Sequence, residues 1–151
     1  MTPHGNGTLR GELELLLVDD DEQDVLMVRE ALEEAGSMST LHATGDGIEA
    51  LAFLRGDDPF GGPTRPDLVL LDLNLPRMSG FELLSELKGG ADWRAIPVVV
   101  LSTSRSDADV RRSYELQASA FVTKPSSFSE LAVVMGKIER FYGEVARLPE
   151  S

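Results

Sequence analysis

The sequence predicts an α/β fold built on one five-stranded, doubly wound parallel sheet of (βα)5 type, and three observations carry that reading. Short apolar runs recur along the chain, a stretch with helical character follows each of them, and the strong runs are continuous rather than alternating. A strand buried on both faces reads as a continuous apolar run, whereas a strand with one wet face alternates. Strand and helix units repeated in this order require parallel strands, right-handed crossovers and helices on both faces of the sheet.

The first run, Leu13–Val18, leads into a predicted helix over Glu22–Ala35, where Val25, Val28, Leu32 and Ala35 fall on one stripe. The second, Thr40–Thr44, is the weakest and precedes a helix over Gly47–Arg55. Asp67–Leu71 precedes a helix over Gly80–Lys88, with Ser79 in place to cap it. Ile96–Leu101 leads to Asp107–Leu116, capped by Ser106, and Ala118–Thr123 leads to Phe128–Tyr142. The segment Gly56–Pro66 (GDDPFGGPTRP) reads as an extended Gly/Pro loop. Near the end, Pro149 stops the last helix. The expected organisation is a single domain over residues 12–148, with a disordered polar arm at 1–11 and a short tail at 149–151. No internal repeat is visible, and the 27 residues after Lys124 suffice for one helix and a tail but not for an output module.

Composition removes several function classes. A net charge of −12, with basic residues scattered, weighs against nucleic acid as a partner. No apolar run is long enough to cross a bilayer. The absence of cysteine rules out a disulfide framework and thiolate chemistry, which agrees with a cytoplasmic location. His4 and His42 are too isolated to suggest a phosphohistidine or a metal site, and Trp93 and Tyr142 read as packing or interface residues.

The informative residues stand at the carboxyl ends of the strands, where open α/β sheets place their reactive crevice. Asp19-Asp20-Asp21 follow the first strand, Asp72 the third, Ser102-Thr103-Ser104 the fourth and Lys124-Pro125 the fifth. Clustered carboxylates repel one another unless a cation joins them, and Mg²⁺ takes hard oxygen ligands of this kind. Asp72 interrupts an apolar run, and burying an unpaired carboxylate there costs several kcal/mol, so a passive role is disfavoured. With Mg²⁺ held by the strand-1 acids, Asp72 and a nearby backbone carbonyl, Asp72 can act as a nucleophile toward phosphorus. Lys124 and the strand-4 hydroxyl would then bind the phosphoryl oxygens.

The segments LLLVDDDEQD, PDLVLLDLNLPRMSGFELL, IPVVVLSTS and FVTKP resemble the receiver domain of bacterial two-component response regulators, over residues 13–148. The resemblance implies a flavodoxin-like receiver fold and the metal-binding acidic pair at Asp19 and Asp20. It implies Asp72 as phosphoacceptor, with Pro76 and Gly80 completing the family pattern, and Asn74 as the residue whose carbonyl ligates the metal. Ser102 matches the switch hydroxyl, Phe121 the switch aromatic, and Lys124-Pro125 a lysine followed by a typically cis-linked proline. The implied function is that of a stand-alone response regulator rather than an enzyme. Phosphorylation by a sensor histidine kinase would change the face formed by the fourth helix, fifth strand and fifth helix, and the phosphate would be lost again slowly. DLNLPRMSGFELL, the Ser-Thr-Ser and TKPSSFSEL are similar to small regulators paired with bacterial phytochrome-type kinases, which implies a homodimer through the last helix and tail.

Two positions depart from the pattern. Asp21 adds a third acid, and Thr103 stands where the family usually has a smaller residue, so that its branched side chain is expected to hinder attacking water. One rival is a haloacid-dehalogenase-type phosphatase, because Asp19-Asp20-Asp21 also spells Asp-x-Asp. That reading lacks the Thr or Val it needs at Gln23, lacks an acidic pair after Lys124 and leaves Asp72 unexplained. A receiver fold without phosphorylation chemistry is a second rival, and a DNA-binding regulator a third.

Overall fold

The structure is a computed structural model and describes residues 12–62 and 64–149; the arm expected at 1–11 lies outside the described residues. The elements run β1 (Glu14–Val18), α1 (Glu22–Glu34), β2 (Thr40–Thr44), α2 (Gly47–Arg55), β3 (Leu68–Leu71), α3 (Gly80–Gly89), β4 (Val98–Ser102), α4 (Asp107–Glu115), β5 (Ala120–Thr123) and α5 (Phe128–Arg140). A π-helical turn, Phe141–Val145, extends α5. All strand pairs are parallel, and the order across the sheet is β2-β1-β3-β4-β5.

Successive residues of a strand point to opposite faces, and the core divides accordingly. Leu16, Val18, Val69, Leu71, Val98 and Val100 face α2 and α3. Leu15, Leu17, Leu68, Leu70, Val99 and Leu101 face α1 and α5. The three inner strands are therefore apolar on both faces over Leu15–Val18, Leu68–Leu71 and Val98–Leu101, which is why they read as continuous runs. β2 is an edge strand, and its residues are mostly exposed or half-buried, so its sequence signal is weak for a physical reason.

Helix starts follow the expected cap chemistry. Ser79 and Glu82 form a reciprocal capping box on α3, and Ser106 caps α4 through the Asp109 amide. α5 leaves regular geometry after Arg140, short of the expected Tyr142, and the Ala146 amide donates to the Phe141 carbonyl at 2.6 Å. Gly143 within that turn is a poor helix former and favours the departure.

The remaining connections aim the site. Gly80 starts α3 so close to the end of β3 that a Cβ there would lie 2.5 Å from the Asp72 carbonyl oxygen and 2.6 Å from Leu73 Cα. Only glycine fits without moving backbone. In the same loop Arg77 takes a left-handed φ of 65° and pairs with Asp46, the N-cap of α2, tying the β3–α3 loop to its neighbour.

Candidate functional site

The carboxyl ends of β1, β3, β4 and β5 bring Asp19, Asp20, Asp72, Ser102 and Lys124 to one edge of the sheet. The ladder continues just past the strands: the Asp19 amide donates to the Thr44 carbonyl and the Asp72 amide to the Val18 carbonyl, each at 3.0 Å. Backbone pairing thus fixes where both carboxylates begin. One carboxylate oxygen from each of Asp19, Asp20 and Asp72 lies within 4.8 Å of the others. Asp19 is buried, Asp72 is half-buried and Asp20 is open to solvent.

Asp21 is not part of this cluster. Its side chain caps α1 by accepting from the Gln23 amide at 2.9 Å, while its own amide donates to Asp19 Oδ1 at 3.0 Å. The third acid of the run therefore starts a helix and orients the first.

Lys124 is the cation of the pocket. Its Nζ donates to Asp19 Oδ2 and Asp24 Oδ2, both at 2.9 Å, and lies 3.7 Å from Asp72 Oδ2. Burial pushes the carboxyls of Asp19 and Asp72 above the usual range, although Lys124 and nearby backbone amides pull the other way. Burial alone would lower the Lys124 pKa, but the hydrogen bonds it donates to Asp24 and Asp19 carry it above the ordinary lysine value. One ammonium does not balance this much buried carboxylate. Three hard oxygen donors with one solvent-facing side suit a small divalent ion that keeps several of its waters.

Other expected residues take their places around this centre. The Asn74 amide donates to Asp72 Oδ1 at 3.2 Å and holds that carboxylate from the loop side. Ser102 is buried, and its Oγ accepts from the Ser104 amide at 3.2 Å; Thr103 beside it is exposed. Phe121 is half-buried against the α2/α3 face, and its amide donates to the Tyr114 hydroxyl of α4 at 3.2 Å. The proline bond differs from expectation: Lys124–Pro125 is not cis, and the cis bond among the described residues is Asp58–Pro59 in the Gly/Pro loop.

Asp24 was not legible as a site residue. It lies in the first turn of α1, three residues after the Asp21 cap, and so close above the same edge. Tyr114, which caps the free edge of β5, left no sequence signal distinct from a surface tyrosine.

Residues 15–135 match the response regulator receiver domain family, and the chain belongs to it. It is 40% identical over 135 residues to response regulator Rcp1 of Synechocystis sp., an overlap of 89% of this chain and 92% of that protein. The phosphorylated cyanobacterial phytochrome response regulator RcpA superposes with a TM-score of 0.85 at 38% identity, covering 91% of this chain and 99% of that one. The Mn²⁺-bound form of Rcp1 superposes with a TM-score of 0.82 at 39% identity over the same shares, 91% and 99%. The chain is thus a two-component signalling protein of the receiver class, which histidine kinases phosphorylate, and its acidic pocket is of the kind that binds Mg²⁺ in that class. No helix among the described residues is long and apolar enough to cross a membrane.

Proposed function

We propose that Asp72 is the phosphoacceptor, and that its modification by a sensor histidine kinase of the phytochrome type switches the α4–β5–α5 face. The observation that carries this is the position of Asp72: at the end of a fully buried strand, clustered with Asp19 and Asp20 and within reach of Lys124. The donors for Mg²⁺ are the carboxylates of Asp19, Asp20 and Asp72 and the backbone carbonyl of Asn74. When bound, the ion supplies positive charge against that developing on the transferred group.

In the transfer, an Asp72 carboxylate oxygen forms a bond to phosphorus while the bond from phosphorus to the donor breaks, and the donor leaves with that electron pair. Lys124 and the Ser102 hydroxyl are then drawn to phosphoryl oxygens; Ser102 Oγ accepts from the Ser104 amide and keeps its O–H free to donate. Phe121 and the β5 edge follow Ser102, and the contact of Phe121 with Tyr114 passes the change to α4. Exposed Phe128, Val133, Phe141 and Val145 on α5 and its extension supply an apolar surface for homodimer formation. The RcpA structure, named for a phosphorylated phytochrome response regulator, supports the partner class. The test is residue mapping: borohydride reduces an aspartyl phosphate to homoserine, and peptide masses should place homoserine at position 72. Homoserine at another position, with Asp72 intact, would overturn the assignment.

A further inference from the structure

Asp24 is an acid that the phosphorylation chemistry leaves without a task. It does not belong to the Asp19–Asp20–Asp72 cluster, yet it holds Lys124 Nζ at 2.9 Å, as closely as Asp19 does and more closely than Asp72 at 3.7 Å. Its place is well fixed, because Asp21 caps the start of α1 and Asp24 lies in the first turn. The Lys124 side chain is 7% exposed and that of Asp24 30%, so the pair sits at the rim where α1 meets the pocket. An ammonium has three donors. In this state two are committed to Asp19 and Asp24, neither of which receives the phosphoryl group.

We propose that Asp24 is a positioning residue that draws the Lys124 ammonium toward α1, so that a phosphoryl group on Asp72 has to compete with Asp24 for it. Asp24 thereby sets how readily the lysine crosses and how far the unmodified protein is held in its resting arrangement. The inference rests on Asp72 being the phosphoacceptor. The competition is between a fixed carboxylate and an incoming dianion for one short-range partner, so relieving it favours the phosphorylated arrangement.

The experiment measures beryllofluoride affinity at saturating Mg²⁺ for wild type, Asp24→Asn, Asp24→Glu, Lys124→Met and the Asp24→Asn/Lys124→Met double variant. Beryllofluoride mimics the phosphoryl group on the acceptor aspartate. Asp24→Asn keeps the shape, removes the charge and should tighten binding about threefold, the size of a partly exposed ion pair. Asp24→Glu, which keeps the charge, should stay near wild type. In the Lys124→Met background Asp24→Asn should have no effect, whereas a general field effect of the lost charge would persist there. In metal-free protein, the Lys124 side-chain NMR resonances should shift in Asp24→Asn. Unchanged or weaker binding in Asp24→Asn, or an equal gain without Lys124, overturns the positioning role and leaves the phosphoacceptor assignment standing. Absence of beryllofluoride binding by wild type overturns both.

Discussion

Lys124 is held closer to Asp19 than to Asp72: its ammonium lies 2.9 Å from Asp19 Oδ2 and 3.7 Å from Asp72 Oδ2. The cation therefore rests on the buried acid that follows β1, one strand away from Asp72. It competes with Mg²⁺ for the same carboxylates, since both neutralise one cluster.

Removing that competitor has a defined consequence. Lys124→Ala should tighten Mg²⁺ binding about tenfold, or about 1.4 kcal/mol, as measured by titration calorimetry. The same variant in EDTA should be less stable by about 3 kcal/mol, because buried Asp19 loses its partner. Mg²⁺ affinity equal to wild type would show that the lysine and the ion do not share the cluster.

Gly80 provides a second test, away from any charge. Gly80→Ala forces a methyl group against the backbone of Asp72 and Leu73. The expected cost is about 2 kcal/mol in denaturant unfolding, within the usual range for overpacking. Phosphoryl uptake should slow with it, because the loop carrying the acceptor must move. A variant as stable and as reactive as wild type would mean that α3 shifts freely.

The pocket also gives a pH dependence with a fixed sign. Burial raises the Asp19 and Asp72 carboxyls above their ordinary value. In the metal-free protein these groups bind protons more readily folded than unfolded. Their contribution to stability is therefore greatest below the ordinary carboxylate range and declines as pH rises through their folded pKa values. Mg²⁺ needs the deprotonated form, so the rise in Tm that it produces should grow as pH climbs from the ordinary carboxylate range through the raised folded pKa values. A Mg²⁺ effect independent of pH across that range contradicts the raised values.

The expected role of Thr103 is tested by the lifetime of the phosphorylated state. Thr103 stands exposed just past Ser102, the last residue of β4, where a branched side chain would hinder an attacking water. Thr103→Ala should lose its phosphoryl group about threefold faster, a barrier change of under 1 kcal/mol, followed as loss of the phosphorylated mass over time. Decay no faster than wild type removes Thr103 from the account.

What the sequence made legible follows from burial. β1, β3 and β4 are apolar on both faces, so their runs and the polar residues that end them stood out, and Asp19, Asp20 and Asp72 were found together. β2 lies at the edge and gave little. Helix starts were readable because Ser79 and Ser106 are distinctive caps, whereas the end of α5 depends on a π turn for which Gly143 is only a weak signal. Identical side chains hid a division of labour: Asp20 joins the cluster and Asp21 caps α1, which the run of three acids does not reveal. Asp24 and the Arg77–Asp46 pair were missed because each joins segments distant in sequence or lies inside an ordinary helical pattern. The Lys124–Pro125 bond, expected cis from resemblance, is not cis.

The most direct measurement is the intact mass of wild type and Asp72→Asn after incubation with acetyl phosphate, with and without Mg²⁺. Wild type should gain one phosphoryl group with Mg²⁺, and there should be no gain without the metal or in the variant. Equal phosphorylation of Asp72→Asn, or no phosphorylation of wild type under any condition, would contradict the assignment of Asp72 as phosphoacceptor.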